Sequence, residues 1–582
     1  MDNQRIADIF AEIGDIMDIK GEDFFRVNAY RRAAQTIAHH PYDLNDEYLK
    51  KGEFDKIPGI GAELTRKIVE LITTGKCTFH EELVASFPKG LLDMLRVRGV
   101  GPKKVKLFYG TLGIETLEQL KKAAATGQLR DLPKMGVKSE SEILKAIEEY
   151  EQMPHDRRLL HEALIEAEKF LEYLRKSPDI AQIQYAGSLR RVVETIGDID
   201  ILSAPKKMSA EVVEKIMTYY AKYPEISLII NRGETKSSVI LKTGTQVDLR
   251  VIDKDIFGAA LHYFTGSKAH NIRIRDRAKN MGLRVNEYGV FKIKGDEQTL
   301  IAGKTEEELL HAVGLPFIIP EMREDRGEIE YGLKYGKMPS VVELKDLQAD
   351  LHTHSRWSDG SEEIEVLAKS YLKAGFAYMA LTDHSKMVGV TGGMSDERVM
   401  EQWEEIDELN RELAPFRILK GSEVDILKDG GLDYSEKVLK KLEVINASTH
   451  LYHGLSPEDQ TKRILRAVQS GYVKILSHPM GRLINQRKAI AFDMEAVFKA
   501  CAEHHVALEI NSSPERMDLD DTHVRIAKRF GCKFAINSDS HHSSHKEYLI
   551  YGVKIARRAW LTKEDVINTM SLSELLKYWK LK

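Results

Sequence analysis

The chain has 582 residues, 42% of them hydrophobic and 30% charged, with a formal net charge of −4 at neutral pH. That length exceeds what one core serves, so about three to five domains are expected. The near-balanced charge excludes nucleic-acid binding by global basicity, and any basic surface must be local. Cys77, Cys501 and Cys532 have no zinc-type spacing and read as reduced and buried. No apolar run is long enough to span a membrane, and Asp2, Asp8, Glu12 and Asp15 exclude a signal peptide. The expectation is a cytoplasmic protein.

Residues 1–80 are expected as a first helical domain. Ile6, Ile9, Phe10, Ile13, Ile16 and Met17 form a stripe at helical spacing. A second helix runs through Asn28-Ala29-Tyr30-Arg31. Ile57-Pro58-Gly59-Ile60-Gly61 then precedes an amphipathic helix. The pattern returns at Val97-Arg98-Gly99-Val100-Gly101-Pro102, in a second domain over residues 81–150, and more weakly at Leu132-Pro133-Lys134-Met135-Gly136. Such helix, glycine turn, helix units present unpaired N–H groups that hold a DNA phosphate without reading a base. Gly59, Gly61, Gly99 and Gly101 are the expected DNA contacts.

A helix over residues 155–178 leads into an apolar strand, Ile183 to Ala186, that stops at Gly187-Ser188-Leu189-Arg190-Arg191. A helical segment follows, and Gly197 opens a second strand carrying Asp198 and Asp200. Two apart on a strand, these face one side. Like charges held together need cations between them, and oxygen ligands suit Mg²⁺ or Mn²⁺. Asp248, in Val247-Asp248-Leu249-Arg250, offers a third carboxylate from a later strand of one mostly antiparallel sheet. The Gly187-Ser188 turn and its arginines offer N–H groups, a hydroxyl and guanidinium forks suited to a polyphosphate. Metals facing a phosphate cradle make a nucleotidyl-transfer site. Tyr263-Phe264-Thr265-Gly266, Asn271 and the basic run Arg273, Arg275, Arg277, Lys279 and Arg284 suit nucleotide and template contact.

On these motifs, with Asn286-Glu287-Tyr288, residues 1 to about 315 resemble the X family of DNA polymerases, the DNA polymerase β type. The resemblance implies an α+β nucleotidyltransferase palm and nucleotide-binding subdomain over residues 151–315, behind the α-helical helix-hairpin-helix domains. It places two Mg²⁺ ions on Asp198, Asp200 and Asp248, with Asp248 near the primer 3′-hydroxyl. It places Gly187, Ser188, Arg191, Gly197, Tyr263, Phe264, Gly266 and Asn271 at the incoming nucleotide. Ser188, Arg191 and Gly197 hold its triphosphate, Tyr263 and Phe264 line its sugar, and Asn271 meets the minor-groove edge of the base pair. Arg250 and Arg275 contact DNA. Lys67 falls at the position of the lysine that removes a 5′-deoxyribose phosphate in animal relatives, although Arg26 and Glu63 replace two supporting basic residues.

Residues 316–345 carry Pro316, Pro320, Gly327, Gly332, Gly336, Pro339 and an acidic cluster. They read as an inter-domain linker, partly ordered at best.

Residues 346–582 change character, and 12 of the 20 histidines lie after residue 350. Seven short apolar segments end in polar residues, with helical stretches between them, which predicts a (β/α)7 TIM-like barrel with its chemistry at the strand C-termini. His352, His354, Asp359, His384, Glu423, His450, His478, Asp539 and His541 exceed the needs of one ion. Two or three Mn²⁺, Zn²⁺ or Fe²⁺ ions are expected, with Glu423 bridging. His453, His504, His505, His523, His542 and His545 read as structural.

This half resembles the polymerase-and-histidinol-phosphatase (PHP) domain family, with every family ligand position filled. The resemblance implies a metal-dependent phosphoesterase, which in bacterial family X polymerases is a 3′–5′ exonuclease and also processes abasic or 3′-blocked ends. The whole chain is thus expected to be a monomeric DNA-directed DNA polymerase for short-gap filling in base-excision-type repair, taking dNTPs and gapped or primer-template DNA. Two other classes stay open: a polymerase fused to a small-molecule phosphomonoesterase, and a non-catalytic DNA-end scaffold. The complete carboxylate triad and phosphate turn speak against the scaffold.

Overall fold

A computed structural model describes residues 3–38, 44, 48, 57, 60–74, 76–85, 87–88, 90–95, 97, 99–151, 157–295, 297–387 and 389–580. They form two compact units: residues 1–155 with 485–488, and residues 156–484 with 489–582.

The first unit is helical. Asn3–Lys20 and Phe24–Ala38 bury Ile6, Phe10, Ile13, Val27 and Tyr30 in one core with Leu64 and Ile68 of Ala62–Thr74. Ile16 and Ile19 enter a second core with Met94, Val105 and Phe108. Pro102–Leu112 follows extended Gly101 and carries its proline in the first turn, where a missing N–H costs no helical bond. It ends at left-handed Gly113 (φ 64°).

In the second unit, the palm sheet has the strand order Ile180–Tyr185, Asp198–Pro205, Gln246–Val251, Lys236–Leu241, Ile226–Arg232. Only the Asp198–Pro205/Gln246–Val251 pair is parallel. Strand alternation divides the roles. Ile199, Ile201, Val247 and Leu249 pack with Phe170, Leu174, Ile216 and Met217 of Leu160–Arg175 and Ala210–Tyr220. The alternate residues, Asp198, Asp200 and Asp248, therefore turn to the opposite face. There Leu202 and Ala204 pack on Phe257, Ala260 and Leu261 of Phe257–Thr265.

A three-stranded antiparallel sheet, Leu283–Asn286, Gly289–Lys294 and Glu297–Ala302, follows. Its core joins Ile274, Val290 and Leu309 to Leu315, Ile318, Met322 and Ile329. The expected linker at 316–345 is therefore built structure. It contains the helix Glu328–Tyr335, and Arg323 and Glu328 are fully buried. Its acids are consumed by partners: Glu328 accepts the N–H groups of Asp325 (2.9 Å) and Arg326 (2.7 Å), Glu321 pairs with Arg557 (2.9 Å), and Glu324 pairs with Arg558 (3.0 Å).

The barrel has seven parallel strands in sequential order: Ala349–Thr353, Tyr378–Leu381, Arg417–Asp425, Val444–Ser448, Ile475–Leu476, Ala507–Asn511 and Phe534–Asn537. A Thr353–Ser540 bridge joins its two ends. Small residues (Ala349, Ala380, Ala507, Ala535) alternate inward with Leu351, Leu419 and Val444, and Leu575 and Trp579 pack on that layer. No helix among the described residues is long and apolar enough to cross a membrane.

Candidate active sites in the palm and the barrel

In the palm, Asp200 lies directly opposite Asp248 in the parallel register, with Asp198 opposite Gln246. Burial, then the neighbouring Asp198 and Asp248, push Asp200 up to about 6. Burial also acts to raise Asp248, but hydrogen bonds from Gln246 (2.9 Å), Lys236 and Ser238 outweigh it and hold that carboxyl below its ordinary range. Lys236 Nζ stands 3.0 Å from Asp248. The three carboxylates share one face, but among the described residues their oxygens do not come together as a group of three within 4.8 Å, as the barrel ligands do.

The Gly187-Ser188 turn is seated against these acids. Ala186 donates its N–H to the Asp200 carbonyl at 2.8 Å. Gly187 has φ 63°, and a β-carbon there would come within 2.5 Å of Asp200 Oδ2, so glycine is required on both counts. Ser188 is half-buried beside it, and Gly197 is exposed next to Asp198.

The two arginines of the turn part ways. Arg190 gives both terminal nitrogens to Glu306 (2.8 and 2.6 Å) and one to Thr265 Oγ1 (2.8 Å), so its fork is committed to the fold. Arg191 reaches the Thr265 carbonyl at 2.5 Å and Glu324 at 3.0 Å, with Gly266 closely against it. Asn271 donates to the Tyr263 carbonyl at 2.7 Å. Tyr263 and Phe264 meet edge to face at 5.1 Å, and the Arg250 guanidinium covers the Phe264 ring at 4.3 Å. In the basic run, Arg275 is exposed, Arg273 pairs with Glu330, and Arg277 donates to the Val313 carbonyl at 2.5 Å.

In the barrel, the expected ligands converge at the strand C-termini. His354, Asp359, His384 and His541 present ligand atoms within 4.8 Å of one another, as do His352, His354 and Asp539, and also His384, Glu423 and His450. His478 belongs to none of these groups but touches Glu423 Oε1 at 2.8 Å. Glu423 is the hub, also reaching His384 (3.1 Å), His450 (3.2 Å) and His352 (3.3 Å). His352 Nε2, both ring nitrogens of His354 and His384 Nδ1 are buried without a hydrogen-bond partner among the described residues. Orphaned imidazole nitrogens aimed at carboxylates are what a divalent ion satisfies, so the residues fit such ions.

The electrostatics agree. Burial disfavours the charge on Glu423, but His450, His352 and His384 overcome it and hold the carboxyl well below the usual range. Burial likewise lowers His450, and Glu423 and Asp425 more than reverse this, raising it to about 10. His478, beside Arg516, is driven by burial down to about 4.

Four stretches match known families: a helix-hairpin-helix domain at residues 1–77, a SAM-like helix-hairpin-helix tandem at 91–149, a DNA polymerase beta thumb at 260–324, and a PHP domain at 350–552. Over 583 residues, covering 100% of both chains, the protein is 36% identical to the DNA polymerase/3′–5′ exonuclease PolX of Bacillus subtilis. The chain belongs to the PolX family, a family X DNA polymerase with a C-terminal PHP domain. The barrel alone is 30% identical over 236 residues to a probable phosphatase of Thermoanaerobacter sp., covering 38% of this chain and 91% of that protein. A probable phosphatase of Proteus mirabilis is 27% identical over 230 residues, 38% of this chain and 89% of its own. The thumb match, running to residue 324, accords with the packed segment that composition had suggested was a linker.

In this PolX chain, a second layer of acids escaped sequence reasoning. Glu509, fully buried, accepts from His352 Nδ1 at 2.7 Å, from the His478 N–H at 2.7 Å and from Asn537 at 2.9 Å. Asp425 stands 3.3 Å from His450 Nδ1, and among the described residues neither of its carboxylate oxygens has a hydrogen-bond partner. Both sit on barrel strands near the predicted ligands, Asp425 two residues after Glu423. Position at a strand end was the available signal.

In the helical unit, Gly61, Gly99 and Gly101 have open space where a β-carbon would lie. Gly99 is held as glycine by its φ of 79°, whereas nothing among the described residues excludes a side chain at Gly61 or Gly101. Gly59 lies outside the described residues. Lys67 lines a cleft of about 360 Å³ with Glu63, Arg66, Glu70, Thr78, Phe79 and Glu82. Its Nζ pairs with Glu63 at 2.6 Å and stands over Phe79 (4.9 Å). Burial would lower its pKa, but Glu63 and Tyr30 reverse this, so the amine is held protonated.

Proposed function

We propose that the chain is a DNA-directed DNA polymerase that fills short gaps in DNA repair, of the base-excision type, and that its barrel trims 3′ ends by exonucleolytic hydrolysis and processes abasic or blocked ends. The observation that carries this reading is the Asp200–Asp248 register pair with Gly187 seated on Asp200, in the same unit as the Glu423-centred histidine cluster. The name of the Bacillus subtilis relative, polymerase and 3′–5′ exonuclease, supports it.

In the palm, Mg²⁺ or Mn²⁺ on Asp198, Asp200 and Asp248 would supply positive charge at the primer 3′-oxygen and the leaving phosphate. Gly187, Ser188, Gly197 and Arg191 hold the triphosphate. Tyr263, Phe264 and Gly266 bound the sugar, and Asn271, fixed by the Tyr263 carbonyl, meets the base pair. In the barrel, His352, His354, Asp359, His384, Glu423, His450, His478, Asp539 and His541 would hold two or three Mn²⁺, Zn²⁺ or Fe²⁺ ions, which supply Lewis-acid charge for phosphodiester hydrolysis. Glu509 and Asp425 orient the imidazoles. Gly59, Gly61, Gly99 and Gly101 admit DNA phosphates, a reading supported by the open space at the last three, and Arg275 and Arg250 serve the template side. The chain acts as a cytoplasmic, nucleoid-associated monomer. Lys67 is the Schiff-base candidate for a 5′-deoxyribose-phosphate lyase; its cleft supports that role and Glu63 opposes it.

A second reading, in which the barrel is a small-molecule phosphomonoesterase, is favoured by the probable phosphatases that match it. A one-nucleotide-gapped duplex with Mn²⁺, with and without dNTPs, tests both. Asp198→Ala is expected to abolish extension and keep trimming, and His352→Ala to do the reverse. Extension surviving in Asp198→Ala rejects the polymerase site. Phosphate release from monoesters with no cutting of single-stranded DNA gives the barrel to the second reading.

A further inference from the structure

Arg191 does not stand free to meet a triphosphate. Its Nε donates to Glu324 Oε1 at 3.0 Å, and the two side chains are only 15% and 16% exposed. The same Glu324 oxygen accepts from Arg558 Nη1 at 3.0 Å, and Arg558, from the barrel helix Leu549–Arg558, is 7% exposed. Arg558 Nη1 also donates to the Arg191 carbonyl. Its remaining nitrogens, Nε and Nη2, go to Asp521 Oδ2 at 3.0 Å each, and Asp521 is shared with Arg326 at 2.7 Å. Charges therefore alternate along one chain of contacts, Arg191, Glu324, Arg558, Asp521, Arg326, crossing from the palm to the barrel and back. On the other side of the turn, Arg482 of the barrel pairs with Glu194 at 2.7 and 3.3 Å.

We propose that Glu324 occupies Arg191 in place of the nucleotide triphosphate, and that Arg558 of the barrel sets how readily Arg191 is released to it. Both are positioning residues for the polymerase reaction, and the proposal rests on Arg191 being the triphosphate arginine. When phosphate oxygens take the Arg191 guanidinium, Glu324 loses one of its two cations. A poorly solvated carboxylate left wholly unpaired is costly. Arg558, already within hydrogen-bond distance, keeps Glu324 neutralised and so lowers the cost of the exchange. The barrel thereby contributes to nucleotide affinity without touching nucleotide, and by reciprocity a bound triphosphate reweights the contact between palm and barrel.

The test uses the full chain on a one-nucleotide-gapped duplex with a dideoxy-terminated primer in Mg²⁺, so that the Kd of the complementary dNTP is read without turnover. Arg191→Met is expected to weaken binding about tenfold, the size of one lost charge-assisted contact. Glu324→Gln is expected to tighten binding, because its competitor charge is gone. Arg558→Met is expected to weaken it, and the double variant Glu324→Gln/Arg558→Met to return to the Glu324→Gln value, a non-additivity that general loosening of the fold does not produce. Should Arg558→Met fail to fold, Asp521→Asn serves instead: released from Asp521, Arg558 turns more fully to Glu324 and the Kd falls. An unchanged Kd in Arg191→Met removes the triphosphate reading itself. A normal loss there, combined with an unchanged or weaker Kd in Glu324→Gln, or with additive effects in the double variant, overturns the proposal alone.

Discussion

Glu509 accepts a hydrogen bond from His352 Nδ1 at 2.7 Å, which leaves His352 Nε2 as the nitrogen turned toward Glu423 (3.3 Å) and Asp539 (3.6 Å). A carboxylate behind an imidazole fixes the tautomer and raises the basicity of the other nitrogen. Glu509→Gln is therefore expected to lower the barrel's affinity for Mn²⁺ or Zn²⁺ by about ten- to a hundredfold. Metal content after dialysis against graded chelator measures it, with 3′-end trimming falling in parallel and gap extension in the palm unchanged. Undiminished metal retention would mean that Glu509 serves only the fold.

The palm is expected to lose its metal at mildly acidic pH. Asp200 is raised to about 6 by burial and by its acidic neighbours, so below that pH a proton competes with the ion for the same oxygens. Since metal binds the carboxylate form, the apparent Mn²⁺ affinity should be flat above about pH 6 and drop about tenfold per unit below it. Asp248, held low, adds no second step in this window. Mn²⁺ titration by paramagnetic resonance, in a His352→Ala background to weaken the barrel site, measures this. A flat profile down to pH 5 would refute it.

Acid stability should depend on Glu306. Burial would raise this carboxyl, but Arg323 and Arg190 overcome it and bring it to about 2 from 4.5. A carboxylate lowered in the folded state contributes stability that is fully present above the unfolded value and lost as pH falls toward the folded one. About 3 kcal/mol is expected to disappear between about pH 4.5 and 2 from this group alone. Glu306→Gln should be less stable at pH 7, because two buried guanidinium groups lose their counter-charge, and should show a shallower decline in urea midpoint on acidification. An identical pH slope in both proteins would remove Glu306 from the account.

What could be read from the residues, and what could not, follows from the range of the interactions. That the palm carboxylates share a face and the barrel histidines and acids gather at strand ends was legible because strand periodicity and chain order place them, and both are local properties. Arg190 and Arg191 look alike in sequence, yet the acid that claims Arg190 lies 116 residues away, and that pairing is set by tertiary packing. Residues 316–345 have a linker's composition for the same reason: Glu321, Glu324 and Glu328 read as a solvated run only until Arg557, Arg558 and His270 are brought against them. Arg250 was expected on DNA; strand alternation delivers it to the sheet face that carries Asp248, where it stacks on Phe264. Glu509 stands on a strand already identified, but a buried acid behind a histidine has the same one-dimensional appearance as one beside a metal.

The lyase question turns on one contact. Lys67 must be neutral to attack an aldehyde, and Glu63 at 2.6 Å keeps it charged while Glu70 and Glu82 line the cleft against a 5′-phosphate. Burial by itself acts on Lys67 in the opposite sense, lowering its pKa. Removing the counter-charge leaves only Tyr30 to oppose burial and so should free more of the amine. Glu63→Gln is expected to raise borohydride trapping of the chain on a 5′-deoxyribose-phosphate duplex at neutral pH, because more of the amine is then free. Lys67→Ala in the same background should abolish the adduct. Trapping that persists in the double variant would place the nucleophile elsewhere. Trapping absent from both the native chain and Glu63→Gln would leave the cleft as a DNA contact without lyase chemistry, its lysine serving to hold Glu63 and the rings of Phe79 and Tyr30 in place.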